Sequence, residues 1–394
     1  MSTPRRGTPD FLLLFLTFAL VCFGIVMVFS SSSVYASTKF SNPWYFATRQ
    51  ILFAVVGTFG MLFCMNIRYS KLKNWVKPGF LVVVAMLVAV LFFKGINGSR
   101  SWLPLGKSFS LQPAEFAKLA VIVYLAQLIS KKGDNIQDMK KGLLPAVLIT
   151  AFIAFWILLQ PDVGSAAILI LCASVVIFVG GARVKHLFSL GVAGGLAAAV
   201  FLGFYFLFNF KSASDHVGLR MKRFTAYLNP KDDVLDSGFQ VMQSLYAFGH
   251  GGITGAGFGQ SIQKLYLPEP YTDFIFAIIG EELGMIGSIL FLLVYIIFLW
   301  RGLVIAVRCP DRFGMLTGVG IMTMIGVTAI INIGGVTGTL PMTGVTLPLI
   351  SYGGSSMMVT LISMGIMLSL SREQNRLEKK EKVEKVTQTT RVYR

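Results

Sequence analysis

The sequence predicts an all-α integral membrane protein with ten transmembrane helices and a long extracellular loop between the seventh and eighth. Three observations carry that prediction. Over 394 residues the chain is 55% hydrophobic and only 13% charged, with a mean hydropathy of +0.71, far from the average of soluble domains. Its apolar residues gather into runs close to the ~20 residues that a helix needs to cross the hydrocarbon. Lys and Arg concentrate in alternate connections between those runs, the pattern of a polytopic topology.

The predicted spans lie near 11–33, 47–66, 78–94, 113–130, 142–160, 163–181, 187–208, 272–300, 313–337 and 345–370. The first follows Arg5 and Arg6, and Val34-Tyr35-Ala36 has the look of a cleavage site. Its apolar core from Phe11 to Phe29 nevertheless exceeds the ~7–15 residues of a signal peptide, so it reads as a retained span. One set of connections carries Arg68, Lys71, Lys73 and Lys77, then Lys131, Lys132, Lys140 and Lys141, then Arg183 and Lys185, then Arg301, Arg308 and Arg312. That side is predicted to be cytoplasmic, with both termini on it. The transmembrane domain is 1–371, and 372–394 is a cytoplasmic basic tail suited to anionic lipid.

Composition also excludes classes. The net charge of +17 would suit nucleic acid, but the basic residues sit in short clusters between apolar runs, so no nucleic-acid partner is expected. Cys22, Cys64, Cys172 and Cys309 form no CxxC pair, and three histidines argue against a His-built metal site. The cysteines read as small core residues.

The charges that remain inside or beside the spans are the candidates for chemistry, because ionisable groups there are expensive. In KLYLPEPYTDFIFAIIGEELG (264–284) Asp273 stands at the outer mouth of the eighth span. Glu281 and Glu282 follow about 12–13 Å deeper along a helix. Together they predict a polar cavity open to the outer face, against the plainer reading of Asp273 as a helix cap. Glu115 and Lys118 share one face of the fourth span, either neutralising one another or lining the same cavity. Arg100, Arg220, Lys222, Arg223 and Lys264 are outer cations that suit a diphosphate. GHGGITGAGFGQS (249–261) opens no βαβ unit and is no dinucleotide motif. It reads as a turned segment that positions Lys264. NIGGVTGTLPMTGVTLPLISYGGSS (332–356) predicts broken helices or a re-entrant segment lining a cavity.

Four segments, NGSRSWLPLG…SLQPAEFAKL, SGFQVMQSLYAFGHGGITGAGFGQS, KLYLPEPYTDFIFAIIGEELG and TGTLPMTGVTLPLISYGGSS, occur in one order. They resemble those of the SEDS family (shape, elongation, division and sporulation), whose members include FtsW, RodA and SpoVE. The FtsW/SpoVE branch looks nearest. Thr339 departs from the aliphatic residue usual there.

The resemblance implies a peptidoglycan glycosyltransferase in the bacterial cytoplasmic membrane. Such an enzyme polymerises lipid II on the outer face, works with a class B penicillin-binding protein, and serves a division or elongation complex. By motif the essential aspartate falls on Asp273, and Arg100, Trp102, Glu115 and Lys118 fall on family positions. Arg220, Gln243 and Lys264 complete the substrate-binding candidates. Passing from an α-linked diphosphate donor to a β-1,4 glycan needs one inverting displacement, hence a base, by analogy with inverting glycosidases. The resemblance makes Asp273 the expected base. A divalent cation such as Mg or Mn could share the diphosphate, though no cofactor is legible. Trp102 would pack on sugar or prenyl chain, or sit in an interfacial belt. A lipid II flippase would use the same cavity without needing the base, and a scaffold would need neither.

Overall fold

The computed structural model describes residues 7–93, 101–104, 110–189, 191 and 237–392, apart from the side chains of 237 and 379–392. Ten helices are used below. They are α1 (Phe11–Phe40), α2 (Tyr45–Asn66), α3 (Tyr69–Ala89), α4 (Pro113–Lys132), α5 (Leu144–Leu158), α6 (Val163–Val179), α7 (Ser237–Gly251), α8 (Ile275–Val307), α9 (Arg312–Val336) and α10 (Gly354–Val392). A two-residue antiparallel ribbon, Leu103–Pro104 with Ser110–Leu111, precedes α4. Among the described residues eight helices are long and apolar enough to cross a membrane, and Val163–Val179 is a shorter apolar helix. The predicted seventh span lies almost wholly outside the described residues, as do Arg100, Arg220 and the loop up to 236.

Local chemistry sets where the helices start. Asp10, Asp162 and Asp311 each cap a helix, accepting from the amides of Leu13, Ser165 and Gly314. Pro113 opens α4, where its missing amide is no loss. Hydropathy marks only the apolar part of a helix, so several ends move. Helix α3 begins at Tyr69 and takes in Lys71, Lys73 and Lys77. The predicted span from 345 becomes helical only at Gly354, because residues 337–353, with Pro341 and Pro348, carry no regular helix. Helix α10 then runs unbroken for 39 residues, about 60 Å, so the expected tail continues the last span as helix.

The basic connections meet at one end of the bundle. Arg301 Nε donates to Asp10 Oδ2 at 3.1 Å, and the Asp10 amide donates to Ser371 Oγ at 3.0 Å. Burial alone would raise the pKa of Asp10, but Arg301 and the Leu13 amide outweigh it and hold the carboxyl below its ordinary value. Lys73 pairs with Asp311 at 3.2 Å, and Arg372 Nη1 donates to Asn66 Oδ1 at 2.9 Å. Residues 7–10 and the start of the tail therefore lie at that same end. At the opposite end Gln50 Nε2 donates to Ser351 O at 3.0 Å, and the Tyr352 amide donates to Tyr271 O at 2.8 Å. Phe46 packs at a tilt against Tyr271, with ring centroids 4.2 Å apart.

Close helix packing uses small residues, as expected where lipid competes equally for apolar side chains. Helices α2 and α10 approach through Gly57, Gly60 and Gly365. A Cβ at Gly365 would overlap the Met61 carbonyl and come within 2.8 Å of Met61 Cα. Gly365→Ala is expected to cost about 1–3 kcal/mol through this overpacking, seen as a lower Tm in detergent. An unchanged Tm would mean that α2 and α10 can separate freely.

Candidate active site

The site is built at the end away from the basic connections. Asp273 lies two residues before the start of α8, whose N-cap position falls on Phe274. Thr272 Oγ1 donates to Asp273 Oδ1 at 2.8 Å. From α9, Asn332 Nδ2 donates to Asp273 O at 2.8 Å and to Val345 O at 2.7 Å. One buried amide thus ties the mouth of α8 to the irregular segment 337–353. The result is a small open cleft lined by Asp273, Phe274, Asn332, Val336, Thr343 and Gly344 among others. Gly344 has φ +73°, and a Cβ there would stand 3.9 Å from Asp273 Oδ2. Asp273 is half-buried. Asn332 Oδ1 and Thr343 Oγ1 are buried without a hydrogen-bond partner among the described residues.

Glu281 and Glu282 do something else. Both are buried, at 0% and 1% exposure. Glu281 accepts from the amides of Ile262 at 2.9 Å and Gln263 at 3.2 Å, from the Ser261 hydroxyl, and meets His250 Nδ1 at 2.8 Å. Glu282 accepts from Ser30 Oγ at 2.6 Å and lies 4.0 Å from Lys264 Nζ. They fasten the segment after α7 onto α8 and α1, where a cavity lining was expected.

The same segment repairs a break in α8. Gly284 has φ +68° and ψ −168°, which interrupts the helix. The carbonyls of Glu281 and Glu282 accept from the amides of Ala256 and Gly257, at 2.9 and 3.1 Å. The amides of Met285 and Ile286 donate to the carbonyls of Gly252 and Ile253, at 2.9 and 3.2 Å. Backbone must be satisfied in this way wherever a membrane helix is broken. Gly255, at φ +86°, passes so near that a Cβ would overlap the Glu282 carbonyl. GHGGITGAGFGQS is therefore a backbone clamp as well as the support of Lys264.

The remaining candidates are dispersed. Lys118 is 1% exposed and pairs with Glu115 at 2.7 Å, so the two neutralise one another. Near them, Gln112 Nε2 donates to Asp162 Oδ2 at 3.0 Å and the Gln112 amide to Ser355 Oγ at 2.8 Å. Lys118→Met is expected to destabilise by about 3 kcal/mol, because it strands a carboxylate. The double change with Glu115→Gln should recover most of that loss in unfolding measurements. Additive losses would instead mean that Lys118 serves another group.

Lys264 Nζ donates to Gly259 O at 2.6 Å with its side chain only 7% exposed, and it does not line the cleft. Trp102 is half-buried beside the ribbon, next to Ser101, whose hydroxyl donates to Gln160 O at 2.9 Å. Gln243 is half-buried on α7, adjacent to Ser244, whose hydroxyl donates to Val336 O in the cleft wall at 2.6 Å. Asn332, Thr343 and Gly344 were not singled out from sequence. Their signal was the glycine- and proline-rich stretch that holds them.

Among the described residues no group of three or more His, Cys, Asp or Glu could hold a metal ion. The cleft's own donors are oxygens, the kind that hard cations take. Cys172 and Cys309 are buried, and all four cysteines are free thiols.

The profile of the FtsW, RodA and SpoVE proteins, described as "Cell cycle protein", matches residues 11–376. The chain is 46% identical over 376 residues to "Stage V sporulation protein E" of Bacillus subtilis (strain 168), covering 94% of this chain and 99% of that protein. It is 40% identical over 372 residues to "Probable peptidoglycan glycosyltransferase FtsW" of Trichlorobacter lovleyi, covering 93% and 94%. It superposes with TM-score 0.73 and 27% identity on a chain from "Structural coordination of polymerization and crosslinking by a peptidoglycan synthase complex", over 93% of this chain and 98% of that one. For the Rod shape determining protein RodA of Thermus thermophilus the TM-score is 0.65 at 27% identity, over 93% and 97%. With a profile spanning nearly every helix and relatives aligned over nearly their whole length, the chain belongs to the FtsW/RodA/SpoVE family of multi-pass membrane proteins.

Proposed function

We propose that this protein is a peptidoglycan glycosyltransferase that polymerises lipid II into β-1,4 glycan strands in septal wall synthesis, during division or sporulation. The observation that carries the reading is Asp273, a half-buried carboxylate facing a cleft at the end opposite the basic connections. The names and likeness of its relatives support the same reaction. In this reading the chain crosses the cytoplasmic membrane ten times with both termini inside, and the loop 209–271, α7 included, lies outside. The domain division is 1–371 for the transmembrane domain and 372–394 for the tail. A class B penicillin-binding protein is the partner.

Asp273 takes the proton from the acceptor hydroxyl as that oxygen attacks the anomeric carbon of the donor. The bond to the diphosphate breaks on the opposite face, which inverts α to β. Partial burial makes a carboxylate a better base than it is in water. Arg100 and Arg220 stabilise the departing diphosphate. Lys118 and Lys264 act through the carboxylates they neutralise. Trp102 and Gln243 contact the saccharide or prenyl chain from the rim, and a divalent cation bound with the diphosphate would share its charge.

The test uses the purified protein with its partner synthase, the transpeptidase blocked, and labelled lipid II. Glycan ladders are expected. Absence of ladders together with movement of lipid II across a vesicle bilayer would replace the polymerase by a flippase.

A further inference from the structure

The loop that clamps α8 presents an apolar surface that the reaction does not use. Ile253, Phe258, Ile262, Leu265 and Tyr266 are 46–63% exposed. From Gly251 to Pro268 the only charged residue is Lys264. Its ammonium turns inward to Gly259 O, leaving the side chain 7% exposed. A loop facing water would show its charge and hide its large apolar groups. The backbone is closed too. The amides of residues 255–257 and 262–267 all donate within the protein, as a low-water environment demands.

Two helices measure where this loop sits. The Asp10–Arg301 pair marks one end of both α1 and α8, beside Trp300, which is 67% exposed. Ser30 lies twenty residues along α1 from Asp10, about 30 Å. Glu282 lies nineteen residues along α8 from Arg301, about 28 Å. Ser30 and Glu282 are hydrogen-bonded to one another, so the two measures meet at one level. That span equals the ~30 Å hydrocarbon core. The loop is fastened at this level through Lys264 and Glu281, which is the boundary of the leaflet away from the basic connections. Its tip goes deeper. The Gly252 and Ile253 carbonyls accept from Met285 and Ile286, about 6 Å below Glu282. Met285 and Ile286 are themselves 53% and 58% exposed on the apolar flank of α8, so Ile253 extends a surface that already faces lipid.

We propose that residues 253–266 form an interfacial anchor whose apolar side chains enter the leaflet away from the basic connections. The occupant is lipid, because the surface lies at the hydrocarbon boundary and continues the flank of α8. The depth matches the ~5–10 Å to which interfacial elements bury their apolar face. Tyr266 suits the headgroup level, where aromatic rings with a polar tip collect. Because the loop is bonded across the break in α8, the anchor fixes the height of Asp273, about 13 Å beyond Glu282. The anchor is independent of the reaction and is tested without substrate.

The experiment places the photo-crosslinker p-benzoylphenylalanine at Phe258, and separately at Leu265, in the full chain with its partner synthase. The complex is held in vesicles of phosphatidylethanolamine and phosphatidylglycerol. Ile289, exposed on α8, is the lipid-facing control. Thr38, exposed eight residues beyond Ser30 on α1, is the water-facing one. Lipid adducts at Phe258 and Leu265 should come within threefold of those at Ile289 and exceed those at Thr38 at least tenfold, with Tm unchanged. Adducts at the Thr38 level would overturn the proposal by showing a loop in water. Adducts to the synthase in place of lipid would overturn it by making the surface a protein interface. Two sites keep the test decisive if one variant fails to fold.

Discussion

Asp273→Asn will abolish glycan ladders while leaving a folded protein that still binds its partner. The substitution is nearly isosteric. Thr272 can still donate to the side-chain oxygen it now holds at 2.8 Å, and Asn332 bonds the Asp273 backbone, which the change leaves in place. What disappears is the ability to accept a proton. General-base catalysis is worth ~10²–10⁴ in rate, so the loss should take polymerisation below detection in a ladder assay. The measurement is ladder intensity beside Tm and partner co-purification. Activity within a few-fold of wild type, with those controls normal, would remove Asp273 from the base role. It would leave the cleft as a binding feature only.

Glu281→Ala is expected to destabilise the protein by about 3–5 kcal/mol, the cost of breaking a buried charged network. The change strands the amides of Ile262 and Gln263 and the Ser261 hydroxyl, which converge on one carboxylate, and also removes the partner of the exposed His250 ring. Each stranded buried donor costs ~1–3 kcal/mol before relaxation. The segment around 252–267 should then loosen, and with it the clamp across the break at Gly284. Thermal unfolding in detergent reads the stability, and hydrogen exchange of the Ala256 and Gly257 amides reads the clamp. Activity should fall as well, although Asp273 is untouched, because α7 holds Val336 in the cleft wall through Ser244. Protection of those amides at the wild-type level would show that the loop is fastened elsewhere.

The placement of Asp273 at a span mouth was legible because a lone carboxylate beside an apolar run has few places to go. The mutual neutralisation of Glu115 and Lys118 was legible from their i, i+3 spacing, and the pair indeed meets at 2.7 Å. Glu281 and Glu282 were not legible as anchors. Their partners, Ser30 and residues 250–264, are distant in sequence or hidden in a glycine-rich stretch with no side-chain pattern to read. The clamp is made of backbone hydrogen bonds, which leave no residue signature beyond the glycines that permit close approach.

Sequence alone determined the membrane class and the sorting of basic connections to one end. Those properties follow from transfer free energy, which is summed residue by residue and needs no knowledge of contacts. Only the tertiary structure decided which acidic groups face the cleft and which are buried anchors. It alone showed that α8 is broken and repaired at Gly284, and that Asn332 and Thr343 stand beside Asp273. The physical reason is that the state of a buried polar group depends on its partner, and the partner is chosen by packing between segments far apart in the chain.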